Sequence, residues 1–362
     1  MSFTAGVRCE VATYVWIQDK CPDVPLPRLQ GFAFSSGQTF TALDNVALHR
    51  RAIVHIQRWL CSLLRRPVPC RYSRYQAIPP LTTGGYLLLD YIDRTDAVML
   101  SESWESHHRH DPVRRTALFT GLSRILLSLS QTPLPRLASF TIDDQGVVDL
   151  SNRPLTLRLH QMESEGIPSA ISPRNKTYTS TEPYLLDLLA GQDQRLQHQL
   201  NAINSESDCK AQMAALTGVR ATLHHFLDRD QSQGPFYLTL TDIHQSNIFV
   251  DKDWNVKYLI DLDIDSLLQE SLSDFNLVRE EFMNTWDSGR FWVYHALDNH
   301  WALPALFWQH IQPMFALSHV GDEHFDRIFA PYWCRNIDTF IQTKLTDRAE
   351  YDNQLKQLYE TH

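Results

Sequence analysis

The chain reads as an α+β protein: a small mixed N-terminal part, then a larger helical part that carries an inserted β-hairpin. Three observations predict this. From about residue 112 onward, apolar residues recur mostly at helical spacing. Two strand-like runs stand apart from that pattern, Gly85–Ile92 and Phe236–Leu240. Finally, Ile248–Val250 and Val256–Ile260 flank the polar turn Asp251-Lys-Asp-Trp-Asn255, which is the pattern of a hairpin.

Taken in order, residues 8–20 have helical spacing, with Val7, Val11, Tyr14 and Val15 on one face. Pro22, Pro25 and Pro27 then force an extended segment leading into Leu29–Phe34, followed by a polar turn at Ser35–Gln38. A second helix is expected over 46–66, with apolar Val46, Ile53, Ile56, Trp59, Leu60 and Leu63, closed by Pro67. Gly85–Ile92 is expected to be a strand of the buried type. It runs into a polar connector that suggests a boundary, giving a partial N-terminal lobe over 1–92 and a helical C-terminal lobe over 93–362. Helices are expected at about 112–130, 184–203, 208–228, 274–286, 290–317 and 323–345. There is no internal repeat and no low-complexity tract.

Composition bounds the function. With 43% hydrophobic and 21% charged residues the chain reads as an ordinary globular protein. Its net charge of −9 argues against a nucleic-acid partner, which would need a strongly basic face. The pairs Arg50-Arg51, Arg65-Arg66 and Arg114-Arg115 read as solvated helix faces. The six cysteines are scattered without zinc-ligand spacing, as reduced thiols of a cytoplasmic protein would be. The N-terminus shows no apolar signal region, and no apolar run approaches the ~20 residues that span a bilayer, so no membrane partner is expected. The Asn175-Lys-Thr177 sequon reads as an unused surface turn.

The chemistry concentrates in one stretch. Asp242 follows the apolar run Phe236–Leu240, Asn247 comes five residues later just before the hairpin, and Asp261 leaves the hairpin's second strand. The two open ends of an antiparallel pair lie side by side, so Asn247 and Asp261 become neighbours. Phosphoryl transfer needs such a set: one carboxylate to orient the attacking hydroxyl, and oxygen ligands to hold magnesium on the nucleotide phosphates. The plainer alternative is that Asp242 and Asn247 cap a loop and Asp261 ends a strand. The full strand, loop, hairpin and Asp context favours the phosphotransferase reading.

Over these residues the chain resembles the aminoglycoside phosphotransferase family of kinase-like proteins, in its fungal-type branch. The family's loop usually reads His-Gly-Asp-Leu-His-x-x-Asn and its metal turn Ile-Asp-Trp/Leu-Glu. Here the loop is Leu240-Thr-Asp-Ile-His-Gln-Ser-Asn247 and the turn is Ile260-Asp-Leu-Asp263. The resemblance extends from about residue 8, through Cys21–Leu29 and the hinge-like Leu87–Tyr91, to Arg290–Leu297. It implies a protein-kinase-like two-lobe fold with a truncated N-lobe and a mainly helical C-lobe. It also implies ATP and Mg²⁺ as cofactors and a small-molecule hydroxyl as acceptor. By the same resemblance Asp242 is the catalytic base, Asn247 and Asp261 are the Mg²⁺ ligands, and Glu10 is the helix glutamate that pairs with a phosphate-gripping lysine.

Three departures bear on activity. No lysine precedes Lys20 and the only upstream glycine is Gly6, so the phosphate loop and its lysine are missing from this sequence. The stretch after Asp265 runs almost directly into Leu272–Phe282, without the family's extended Pro-containing segment. Leu240 stands where the loop usually begins with His. Two further expectations follow: a catalytically inactive kinase-like protein used for binding or regulation, or an incomplete gene model of an active enzyme.

Other candidates weigh less. Asp261-Leu-Asp-Ile-Asp265 has a D-x-D pattern, but the alternating βα context such a nucleophile needs is missing. His107, His108 and His110 form a His-rich turn rather than a metal site. The aromatics Trp286, Phe291, Trp292, Tyr294, Trp301, Phe307 and Trp308 read as helix-packing core rather than an acceptor pocket. Glu280, Glu281 and Asp287 read as solvated helix carboxylates.

Overall fold

A computed structural model describes residues 3–76, 84–108, 110–168, 171, 173–227, 232–240, 243–262, 264–265, 286–299, 301–319, 322 and 324–360. The protein is a mixed α+β chain with small antiparallel sheets. Its backbone contacts divide it into two compact units. One contains residues 1–155, 175–177 and 234–278; the other contains 156–174, 178–233 and 279–362.

The first unit opens with helix α1 (Phe3–Lys20), as the apolar spacing predicts. Val11, Ala12, Tyr14 and Ile17 are wholly buried, so this helix is a core element. Lys20 in its last turn suits the negative end of the helix dipole. Strands β1 (Leu29–Ala33), β2 (Gln38–Ala42), β3 (Tyr72–Gln76) and β4 (Tyr86–Leu89) form an antiparallel sheet in the order β3-β2-β1-β4. Phe32 pairs with Phe40 across β1 and β2, their rings stacked 4.6 Å apart, and Phe34 packs edge-on to Phe40. The sequence predicts a buried strand at Gly85–Ile92, but β4 is an edge strand with Tyr86 and Leu88 about half exposed. A continuous apolar run is thus not enough to make a central strand.

Between β2 and β3 lies helix α2 (Leu48–Leu63), and none of its residues is buried. Strand β5 (Val98–Met99) and helices α3 (Ser101–His107) and α4 (Pro112–Ser130) follow. The start of α4 is capped as its sequence implies: the Asp111 carboxylate accepts from the Arg114 N–H at 3.0 Å, and Pro112 takes the first helical position. The hairpin of β6 (Ser139–Ile142) and β7 (Val148–Asn152) has no counterpart in the sequence reading. Asp143 makes its turn, its carboxylate accepting the N–H groups of Gln145 and Val147 at 2.8 Å each. This hairpin packs on α1, with Phe140 stacked on Trp16 at 4.9 Å.

The second unit is mainly helical. Helices α5 (Leu157–Ser164), α6 (Thr181–His198) and α7 (Glu206–Thr222) come first. Two later helices, α8 (Arg290–Asp298) and α9 (Leu303–Leu306), lead into a π-helical turn at Phe307–Ile311. Three more, α10 (Gln312–Ala316), α11 (Phe325–Phe329) and α12 (Ile337–Glu360), complete it. The helix expected at 274–286 lies almost wholly outside the described residues. Leu189, Leu196, Met213, Leu216, Val293, Leu297 and Phe307 form one apolar core. Phe307 belongs to this core and Trp292, Tyr294 and Trp308 pack on it, with Trp308 edge-on to Phe325, whereas Trp286 and Trp301, expected in the same core, are exposed.

Two cations are buried in this unit and both are held. The Lys344 ammonium donates to the Gln199 carbonyl at 2.7 Å and pairs with Asp347 at 2.8 Å. The Arg195 guanidinium donates to the Gln212 side chain at 2.6 Å, and burial lowers its pKa to about 10. Among the described residues no helix is long and apolar enough to cross a membrane.

The packing of α7 against the π-helical turn depends on the absence of a side chain at Gly218. A Cβ there would sit 2.2 Å from Cζ of Phe307. Gly218→Ala is therefore expected to cost about 1–3 kcal/mol, and Phe307→Leu in the same background to recover part of it. Urea unfolding followed by circular dichroism measures both; an unchanged midpoint in Gly218→Ala refutes this packing.

Candidate functional site

The hairpin forms where the sequence places it, as strands β9 (Ile248–Val250) and β10 (Val256–Leu259). Asp251 builds the turn: its carboxylate accepts from the backbone N–H groups of Asp253 and Asn255 at 3.0 Å each. Trp254 adopts a left-handed conformation with φ 64° and is almost fully buried. Its indole N–H donates to Ser103 Oγ at 2.9 Å and its ring stacks on Trp104. Strand β9 pairs on its other side with β5, so the hairpin is the continuation of a three-stranded sheet in the order β10-β9-β5. On β10, the Leu259 N–H donates to the carbonyl of Pro25 at 2.9 Å, which ties the extended proline segment to the hairpin.

At the open end of the hairpin the Ile260 N–H donates to the Asn247 carbonyl at 3.0 Å. That bond closes the pair one residue before Asp261 and makes Asn247 and Asp261 neighbours, as the spacing predicts. Asn247 is also fixed from the loop side, its N–H donating to the carbonyl of His244 at 2.8 Å. Asp261 takes φ 55°, in the left-handed region that Asp tolerates better than most residues at a cost of about 1 kcal/mol. Its side chain is exposed and that of Asn247 half-buried.

Two short strands, β8 (Thr239–Leu240) and β11 (Ile264–Asp265), pair antiparallel in the register Leu240 to Ile264 and Thr239 to Asp265. The backbone entering the loop and the backbone leaving the Asp261 turn are therefore hydrogen-bonded partners. A shallow depression of about 10 Å³, room for about one water molecule, is lined by Leu240, Ile243, Asn247, Ile248, Ile260 and Asp261, among others. Among the described residues that line it none is a cation. Asp242 lies outside the described residues, as do Asp263, Glu280 and Glu281. Leu240 and Ile243, the nearest described residues on either side of Asp242, both line the depression.

Helix α1 contributes a residue that the sequence reading passed over. The Tyr14 side chain is wholly buried and its hydroxyl has no well-formed hydrogen bond among the described residues. Burial raises its pKa above the ordinary phenol value, and the carboxylates of Glu10 and Asp261 push it the same way. The Asp261 backbone N–H opposes them weakly. Glu10 and Asp261, far apart in sequence, thus act on one hydroxyl. The signal for Tyr14 was its position four residues after Glu10, on the same face of a helix. Two other buried polar atoms in this region, Thr239 Oγ1 and Gln245 Oε1, also lack partners among the described residues.

Among the described residues the histidine turn is not arranged as a metal site. His107 and His108 each turn Nδ1 onto a carbonyl one helical turn back, and His108 stacks on Trp104. Among the described residues no group of three or more His, Cys, Asp or Glu is arranged to hold a metal. All six cysteines are free. No model of a known protein family matches the chain, and neither does any curated protein or solved structure.

The unsatisfied Tyr14 hydroxyl yields a stability prediction. A buried hydroxyl without a partner costs about 1–3 kcal/mol, so Tyr14→Phe should leave stability at pH 7 unchanged or raise it by about 1 kcal/mol. The folded pKa is raised, so the contribution of the neutral phenol is fully present below the unfolded value of about 10 and is lost as pH rises beyond it. Tyr14→Phe should therefore lose less stability than the parent between pH 7 and about pH 10.5. Urea midpoints at the two pH values measure this, and an equal loss in both proteins sinks it.

Proposed function

We propose that the chain is a kinase-like phosphotransferase that binds ATP with Mg²⁺ over the open end of the hairpin, beside Asn247 and Asp261. The observation that carries this reading is the Ile260 N–H to Asn247 carbonyl bond, which makes Asn247 and Asp261 backbone neighbours at the open end of a hairpin. A neutral amide oxygen and an anionic carboxylate are hard oxygen donors of the kind Mg²⁺ takes, and the exposed Asp261 leaves room for phosphate oxygens and water to complete an octahedron. Tyr14, buried beside Asp261 with a hydroxyl that lacks a well-formed partner among the described residues, fits a region that gains partners from a ligand.

In this reading Asn247 and Asp261 hold the metal, and Asp242 orients the acceptor hydroxyl and accepts its proton. The bound metal supplies the charge that offsets the β- and γ-phosphates. Glu10 borders the same region, its carboxylate acting with that of Asp261 on the Tyr14 hydroxyl. The acceptor is a small hydroxylated molecule; fold alone does not fix which.

One observation favours a second reading, a kinase-like protein that binds without turnover. The described lining of the site offers no cation to the phosphates. Electrostatic stabilisation of developing phosphate charge is worth several kcal/mol in such sites.

Calorimetric titration of ATP in the presence of Mg²⁺ tests the common element of both readings. Binding that vanishes without the metal and in Asp261→Asn supports the site, and saturation at a hundredfold excess over Kd should raise stability by about 2.7 kcal/mol. No binding to a folded protein removes it. Phosphate transfer to an acceptor that falls at least about a hundredfold in Asp242→Asn selects the enzyme; binding with no turnover selects the second reading.

A further inference from the structure

Helix α2 is turned inside out. At 100° per residue Leu48, Ile53, Ile56, Trp59, Leu60 and Leu63 fall within an arc of about 140°, so they share one face. A helix with such a stripe ordinarily buries it. Here Leu48 is 78% exposed, Trp59 63% and Leu63 64%, with Ile53 and Ile56 both above half. The polar face is the one attached to the protein. The Arg51 guanidinium donates to the carbonyls of Asp44 at 2.6 Å and Val46 at 2.9 Å, Arg58 donates to the carbonyl of Pro69, and Arg50 lies over the ring of Tyr75. The arginines therefore fix the helix with its apolar face outward.

Charge decides what covers that face. From Asn45 to Leu89 the sequence contains seven arginines and neither Asp nor Glu, in a chain of net charge −9. Arg50, Arg65 and Arg66, at the rim and beyond the C-terminal end of the apolar stripe, are exposed. A second copy seated face to face would bring two such basic segments together and meet like-charge repulsion. A protein groove that received this ridge would have to be apolar with an acidic rim. A ridge of bulky apolar side chains with a tryptophan among them and a basic border fits a fluid anionic interface best.

We propose that α2 docks the protein on anionic lipid surfaces, its apolar face entering the headgroup boundary and its arginines meeting lipid phosphates and carboxylates. Lying on a bilayer is distinct from spanning one, so the missing transmembrane segment is no obstacle. The surface is independent of the proposed nucleotide site, and neither proposal rests on the other.

Flotation of the full chain with vesicles of phosphatidylcholine alone, and of phosphatidylcholine mixed with phosphatidylserine, tests this. The protein should float with the mixed vesicles, lose them as salt is raised, and ignore the neutral ones. Ile56→Asp with Leu60→Asp should abolish flotation. Both residues are exposed, so the unfolding midpoint of that variant should match the parent. Arg65→Glu with Arg66→Glu should lower the partition coefficient by about tenfold or more. A folded parent that floats with neither vesicle, or with both equally, overturns the proposal. So does a dimer in sedimentation that Ile56→Asp with Leu60→Asp dissociates, since that result gives the face to a second copy.

Discussion

The hydrogen bond from the Ile260 N–H to the Asn247 carbonyl is the contact on which the candidate site depends. It is a backbone bond, so side-chain identity enters only through where the strands begin and end. The Asp251 turn sets the register at the closed end, and the pairing of Leu259 with Ile248 carries it to the open end. The ladder stops there because Asp261 leaves it in the left-handed region, which no extended strand continues. Termination of the hairpin and the adjacency of Asp261 to Asn247 are one event. A residue less tolerant of positive φ than Asp would make both harder.

What surrounds the hairpin restricts it further. Trp254, buried and hydrogen-bonded to Ser103, fastens the turn to α3, and Pro25 accepts from β10. The prolines that break the chain after α1 thus have a second effect: they hold the segment extended, with a carbonyl free to accept from β10. On the inner side, α1 presents Tyr14 to Asp261. A phenol kept neutral by burial and two nearby carboxylates adds no charge to a region that already holds Glu10 and Asp261.

Much of this was legible in the sequence, and the failures have physical causes. Helices α1, α4, α6 and α7 and the hairpin were readable because their signals are local: apolar spacing, an Asp-Pro cap, a polar turn between two β-branched runs. Adjacency of Asn247 and Asp261 followed from strand geometry. The β6–β7 hairpin was missed because its turn signal, the Asp143 carboxylate bridging two N–H groups, sits in Asp-Asp-Gln-Gly without flanking alternation strong enough to announce strands. Burial of the strand at Gly85–Ile92 was misjudged because an apolar run reports composition, while edge or centre is settled by what pairs on each side. For Asp242 the reading rests on the sequence alone.

The distribution of cations connects the two parts of the first unit. A phosphate-binding surface would ordinarily recruit basic side chains, yet the described lining here has none, while seven of the unit's twenty lysines and arginines lie between Asn45 and Leu89 with no carboxylate among them. There they are used twice. Arg51 and Arg58 satisfy carbonyls and anchor α2, while Arg50, Arg65 and Arg66 face solvent beside an apolar stripe. Burying that stripe inward instead would require those anchoring arginines to give up their carbonyl partners, and each lost bond to a charged donor costs about 1.5–3 kcal/mol. The inverted helix is therefore held by its polar side, and the exposed apolar face follows from that anchoring.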